Sequence, residues 1–284
     1  MHHHVAVVTD STAYLPPAIP AACQVRTVPL TVVLDGQAWE EGTEISADSL
    51  AEALHKRRPV TTSRPSPAAF AETYQEAADA GASGVVSLHL SAELSGTYDA
   101  ACLAAREAPL PVRVLDTGMV AMALGFCALA AAETAAAGGT LDDVAAAASR
   151  RAEATSAYFY VDTLDYLRRG GRIGAAQALL GSALAVKPLL ELADGSIGLR
   201  EKVRTASRAL ARLEEIAVGK AGELDVDLAV HHLAAPERAE QLADRLRSRV
   251  PGLKSLQVSE VGAVIGAHTG PGLLGTVVSL HRNE

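Results

Sequence analysis

Through its first 150 or so residues the chain alternates short valine-rich runs with capped helical stretches, and this alternation constrains the fold more than any other feature. The runs HVAVVTD, GVVSLHLS and VRVLDTG are apolar and β-branched, and each stops at a polar or glycine-containing turn. VRTVPLTVVLDG is a further extended stretch closed by an Asp–Gly turn. Helices are predicted between the runs. ISADSLAEALHKR starts at a serine cap, Ser46, and RPSPAAFAETYQEAADAG has Ser66 as cap, Pro67 in the first helical position and Gly81 past the end. An alanine-rich helix from Met119 to about Ala137 is stopped by Gly138 and Gly139, and TLDDVAAAASRRAEA follows from a Thr140 cap. Strand–helix alternation of this kind predicts a parallel sheet covered by helices.

After SAYFYVD the pattern changes. LELADGSIGLREKVR reads as a hairpin turning at Asp194 and Gly195, followed by a helix from Ala206 to Ala217, a strand VDLAVHHL and a helix PERAEQLADRLRSRV. SLQVSEVG, AVIGAH and TVVSL read as three further strands, so the second half is α/β with a mixed sheet. The expected organisation is two packed domains, residues 1–157 and 158–284, with the boundary near residues 155–160. A chain of 284 residues suits two cores, and 49% apolar residues supply them. The net charge of −8 argues against a nucleic-acid partner, which needs a basic surface. Cys23, Cys102 and Cys127 lack metal-ligand or redox spacing and read as small hydrophobes in a reducing compartment. The apolar stretch Val120–Ala132 is too short for a bilayer and reads as a buried helix. MHHHVAVV lacks a signal-peptide pattern, so the expected location is cytoplasmic.

In an open parallel sheet, ligands bind outside the carboxyl ends of the strands, where loops enter helix N-termini. Four such loops here carry small hydroxyl or acidic residues: TDST (Asp10–Thr12), TTSRPS (Thr61–Ser66), SAELSGTY (Ser91–Tyr98) and LDTG (Asp116, Thr117). Helix N-termini favour anions, so these loops could hold one; equally, Ser66 and Ser95 could be helix caps and Thr61 a strand end. A hydrolytic triad is disfavoured. AELSG lacks the first glycine of a nucleophile elbow, although His268 could act as base and Asp10 or Asp116 could orient it. His89 reads as a strand histidine, and the adjacent His231 and His232 would face opposite ways on a strand, so no metal site is expected. HTGPGLLG sets His268 beside a glycine-rich bend, and LDYLRRGGRIG puts Arg168, Arg169 and Arg172 around two glycines. With Arg200, Lys202, Arg204 and Arg208 these form a basic cluster suited to a phosphate-bearing ligand or an acidic partner.

Six motifs in order, VVTDST, TTSRPS, SAELSGTY, LDYLRRGGRIG, EKVRT and IGAHTGPG, resemble the DegV family of bacterial fatty-acid-binding proteins along essentially the whole chain. Members are similar to the FakB subunit of the bacterial fatty acid kinase. The resemblance implies two α/β domains with a long-chain fatty acid held between them. It further implies a partner kinase subunit that phosphorylates the bound carboxylate with its own ATP and Mg, giving an acyl phosphate for phospholipid synthesis, and transient contact with an acyltransferase or membrane surface. By motif, Thr62, Ser63, Ser95 and His268 are then the carboxylate-binding residues, supported by Ser91, Gly96 and Thr97, while Arg172 and Arg204 belong to the partner or phosphate side. No catalytic residue of its own is implied. Two departures stand out: Ser91–Ala92 replaces a serine pair, and Arg64 replaces the glutamine more usual before the proline.

Physical chemistry agrees with such a ligand. Burying an alkyl chain contributes roughly 0.8 kcal/mol per methylene, so a sixteen-carbon tail could gain about 10 kcal/mol before association costs. Hydroxyl bonds to a carboxylate add about 1.5–3 kcal/mol each and fix its orientation. With three Phe and one Trp in the chain, the tail must lie against aliphatic residues. Three other classes remain: a stand-alone acyl-ester hydrolase, a phosphosugar-binding or dihydroxyacetone-kinase-like protein, and a lipid-binding regulator with no kinase coupling.

Overall fold

The computed structural model describes residues 4–15, 25–56, 58–179 and 187–281. Cys23 and the first two histidines of the N-terminal triplet lie outside them. The contacts divide the chain into two compact units, residues 1–31 with 63–153, and residues 32–62 with 154–284.

The first unit is built on a four-stranded sheet. Its strands β1 (Val5–Asp10), β2 (Val25–Val28), β6 (Gly84–His89) and β7 (Val112–Asp116) are ordered β2-β1-β6-β7, and every pair is parallel. β1 and β6 are buried along their whole length, the signature of a parallel strand covered on both faces. The covering helices are Pro67–Asp79, Thr97–Ala105, Met122–Ala136 and Leu141–Glu153. Phe70 and Tyr74 pack with Val8, Val85 and Ala100 in one core cluster. The caps fall where the sequence placed them: the Ala69 amide donates to Ser66 Oγ at 3.2 Å, and the Asp143 amide to Thr140 Oγ1 at 3.2 Å.

The second unit contains a six-stranded sheet made of β8 (Thr155–Tyr160), β9 (Lys187–Ala193), β10 (Ser196–Val203), β11 (Val226–His232), β12 (Leu253–Glu260) and β13 (Leu274–Leu280). Their order is β10-β9-β8-β13-β11-β12, antiparallel throughout except for the parallel β11–β12 pair. The β9–β10 turn has positive φ at both Asp194 (49°) and Gly195 (76°), as a two-residue Asp–Gly hairpin requires. Helices Ala206–Ala221 and Pro236–Arg249 bury Leu213, Leu242 and Leu246 against this sheet.

A third, three-stranded sheet has the order β4-β3-β5, where β3 is Thr31–Leu34, β4 is Gln37–Glu40 and β5 is Val60–Ser63. The Asp35–Gly36 turn predicted after TVVL is present, with φ of 53° and 81°. Helix Ala47–His55 starts at the expected Ser46 cap, whose Oγ accepts from the Ser49 amide at 3.1 Å.

Two expectations change. A single boundary near residues 155–160 describes the last crossing between units, but the chain also crosses at 31/32 and 62/63, so residues 32–62 belong with the second unit. AVIGAH is not a strand: Ala263–Thr269 is a buried helix. A short apolar run has no periodicity with which to distinguish the two.

Candidate functional site

In the second unit, β5 sets Thr62 against the short helix Ala263–Thr269. Burial alternates along VTTS, with Thr62 half-buried between the exposed Thr61 and Ser63, because successive strand residues face opposite ways. Thr62 Oγ1 lies 2.7 Å from Nε2 of His268, 206 residues away in the sequence. Burial, with the charge of Arg172 added to it, pulls the His268 imidazole from its usual 6.5 down to about 4, so it is neutral at pH 7. Its Nδ1 is buried and has no hydrogen-bond partner among the described residues. The ring lies against Gly170, where a Cβ would collide with Nδ1. Gly170 ends helix Asp165–Arg169, and its carbonyl accepts from Arg172 Nη1 at 2.5 Å. Thr62, His268 and Arg172, singled out separately in the sequence, therefore form one group, joined by Gly170.

The first unit carries the other hydroxyl loop. Ser91 is fully buried; its amide donates to the Met119 carbonyl at 2.9 Å, and its Oγ accepts from the Glu93 amide at 3.2 Å. Asp116 Oδ1 accepts from the amides of Ala92 (3.2 Å) and Gly118 (2.9 Å), so the LDTG loop secures SAELSG. Ser95 is not a helix cap. Helix Thr97–Ala105 begins at Gly96 with no side-chain cap, and Ser95 Oγ pairs instead with Thr97 Oγ1 at 2.9 Å. Among the described residues no side-chain cap is present at that helix start, and a hydroxyl lies beside its first amides, an arrangement suited to an anion. Arg64 lies over Gly96 and donates from Nη1 to its carbonyl at 3.3 Å, linking the two hydroxyl loops. Ser63 Oγ donates to the Arg64 carbonyl at 3.3 Å.

Sequence reasoning missed a buried polar chain beneath these loops. His89 Nδ1 lies 3.1 Å from Asp10 Oδ2, His89 Nε2 lies 2.7 Å from Ser87 Oγ, and Tyr74 donates to Ser87 Oγ at 2.8 Å. Asp10 also accepts from the amides of Leu90 (3.0 Å) and Thr12 (3.1 Å) and from the Thr12 hydroxyl (2.5 Å). Tyr74, Ser87, His89 and Asp10 thus form one continuous hydrogen-bonded chain. The order of groups is that of a serine hydrolase triad, but Ser87, His89 and Asp10 are all 0% exposed. No ester could reach them. Their effect is to tie the ends of β1 and β6 together where TDST and SAELSG begin.

Part of the basic cluster is engaged within the chain. Arg168 pairs with Asp165 at 3.7 Å, Arg200 with Glu191 at 3.5 Å, and Arg169 stacks on Tyr166 at 4.9 Å from the ring centroid. Arg204 is exposed, one residue before Thr205, the cap of helix Ala206–Ala221. His231 faces Ser259 (3.0 Å from Nδ1 to Oγ) and His232 faces Glu260 (3.7 Å). Among the described residues no three His, Cys, Asp or Glu side chains form a metal site, and no helix is long and apolar enough to cross a membrane.

A parallel four-stranded sheet and a separate mixed six-stranded sheet make this an α/β protein, with hydroxyl groups on the loops after the parallel strands and the Thr62–His268 pair on β5 and the Ala263–Thr269 helix. Residues 4–280 match the family model described as "Uncharacterised protein, DegV family", and the chain belongs to the DegV family. It is 74% identical over 279 residues to a DegV domain-containing protein of Streptomyces coelicolor, covering 98% of this chain and 99% of the relative. Two solved structures share the fold closely. A DegV family protein from Thermus thermophilus, described by its fatty acid binding, superposes with a TM-score of 0.92 at 35% identity, over 98% of this chain and 100% of that one. DegV of Bacillus subtilis, described as a fatty acid binding protein, gives 0.90 at 34% identity over the same shares.

Proposed function

We propose that this chain binds a long-chain fatty acid, with Thr62, His268 and Ser95 holding the carboxylate. The observation that carries this reading is the Thr62–His268 pair. The two groups lie 2.7 Å apart, and in the imidazole tautomer with its proton on Nε2 the ring donates to Thr62 Oγ1, which frees the threonine proton to point at an anion. The uncapped amides beside Ser95 offer a second set of donors. Family membership and the fatty-acid-binding descriptions of the Thermus and Bacillus proteins support the same ligand. Neutral donors also suit a carboxylate that must react, because a bidentate arginine would engage both oxygens.

The finer reading is that the chain presents this carboxylate to a partner kinase in the cytoplasm. A carboxylate oxygen would attack the γ-phosphorus of ATP held with Mg on the partner, the bond to ADP would break, and an acyl phosphate would leave for an acyltransferase or the membrane surface. Arg172 and Arg204 would serve the phosphoryl or partner side. The charge of Arg172 acts on the His268 imidazole, and its guanidinium donates to the Gly170 carbonyl beside that ring, which supports a place for it near the head group.

Oleate titration of the delipidated protein tests the head-group assignment. Thr62→Val and Ser95→Ala should each weaken binding about tenfold or more, the value of one hydrogen bond to a charged group. Wild-type affinity in both would remove these residues from the site. Arg172→Ala should keep oleate affinity and abolish phosphorylation by the partner; loss of binding would instead assign Arg172 to the pocket.

A further inference from the structure

The helix that carries His268 lacks the means to hold itself in place. Ala263–Thr269 is seven residues long, and helices this short are not stable alone, so external contacts must set its position. Its N-cap is Gly262, which has no side chain to accept from the first amides. The acceptor comes from 223 residues away: Glu41 Oε1 takes the Val264 amide at 2.8 Å. Glu41 is 4% exposed, and a carboxylate so deeply buried requires hydrogen-bonding partners.

Val264 and His268 are four residues apart and share a helix face. The backbone amide of the first is bonded to Glu41 and the side chain of the second to Thr62. Between Glu41 and Thr62 in the chain lies helix Ala47–His55, whose Leu50 presses on Gly266 so closely that a Cβ there would lie 2.5 Å from Leu50 Cδ2. The excursion of residues 41–62 therefore grips the His268 helix at its start, middle and end.

We propose that Glu41 is a positioning residue for the carboxylate site: by capping Ala263–Thr269 it sets the height and rotation at which His268 meets Thr62. Its effect on ligand affinity rests on the proposed function, whereas its effect on His268 does not. The test uses the full chain, delipidated, with Glu41→Ala, Glu41→Asp, Glu41→Gln and, as a control, Ser46→Ala, which removes the cap of the neighbouring helix and leaves Glu41 in place. Imidazole 15N shifts at pH 7, with the His268 signal assigned by its loss in His268→Gln among nine histidines, report the Thr62 bond without any ligand. Oleate titration reports affinity.

Glu41→Ala and Glu41→Asp, which remove or shorten the acceptor, should shift the His268 Nε2 signal and weaken oleate about tenfold. Glu41→Gln keeps a carbonyl oxygen and should remain within about threefold of wild type. Ser46→Ala should lower Tm without moving the His268 signal. If Glu41→Ala does not fold, the Asp and Gln variants decide the matter between them. Unchanged His268 shifts in Glu41→Ala or Glu41→Asp would overturn the proposal, as would equal shifts in Ser46→Ala. Should wild type bind no oleate, the ligand reading falls while the His268 signal still decides the role of Glu41.

Discussion

His268 shows how one side chain can carry both a stability signature and a binding role. It and the wholly buried His231 are both held at about 4 by desolvation, against 6.5 in an exposed chain. Between those values the unfolded chain binds more protons than the folded one, so stability must fall as pH drops from 6.5 to 4. Each group accounts for up to about 3 kcal/mol at the acid end. Thermal unfolding across that window should show a steady loss of Tm, shallower in His268→Gln; a flat profile would mean the imidazoles are not desolvated as described. Arg172→Ala should raise the His268 pKa modestly, because its charge is the smaller of the two causes. Deeper in the first unit, His89→Phe would take one hydrogen-bond partner each from Asp10 and Ser87 at sites closed to water, while leaving their bonds to Leu90, Thr12 and Tyr74, and should destabilise by about 2–4 kcal/mol in denaturant unfolding.

At the scale of the elements, two close approaches make clean tests. Gly170 has φ of −75°, which any residue accepts, so Gly170→Ala has a steric cost alone, the collision of its Cβ with His268 Nδ1. It should disturb the His268 signal and weaken oleate with little backbone strain; wild-type behaviour would show that the ring has room. Ala121 is the opposite case. At φ 58° and ψ −149° it occupies a region that suits glycine, in the loop whose Met119 carbonyl receives the Ser91 amide. Ala121→Gly should be stabilising by roughly 1 kcal/mol, and a loss of stability would contradict the strain. These elements also show what the sequence made legible. Ser46, Ser66, Thr140 and the two Asp–Gly turns were readable because a cap or a primed turn is a local contract between neighbouring residues. The helix at AVIGAH was not, because its cap, Glu41, and its packing partner, Leu50, lie more than 200 residues away. The polar chain from Tyr74 to Asp10 was hidden for the same reason: its members are spread over β1, β6 and a helix, with no spacing to announce them.

Taken as a whole, the molecule is two compact units threaded by a chain that crosses at 31/32, 62/63 and 153/154. The alternation of strands and helices disclosed the parallel four-stranded sheet, and the changed pattern after SAYFYVD the mixed six-stranded one, but neither the three-stranded sheet nor the membership of residues 32–62 was legible. That stretch reads like the rest of the first half, and only its long-range contacts assign it. The hydroxyl loops were legible as candidates; that Ser66 is a cap and Ser95 is not required the geometry of two helix starts. A ligand that binds the folded state alone must stabilise it, so oleate at about a hundred times its Kd should add about 2.7 kcal/mol to the delipidated protein, visible as a rise in Tm. The most direct test of the account is to denature the protein as purified, extract it with organic solvent and identify the extract by mass spectrometry. The expected extract is a long-chain fatty acid in near-stoichiometric amount, with much less of it from a Thr62→Val, Ser95→Ala double variant. An extract without fatty acid, from a protein that also fails to take up oleate, would contradict it.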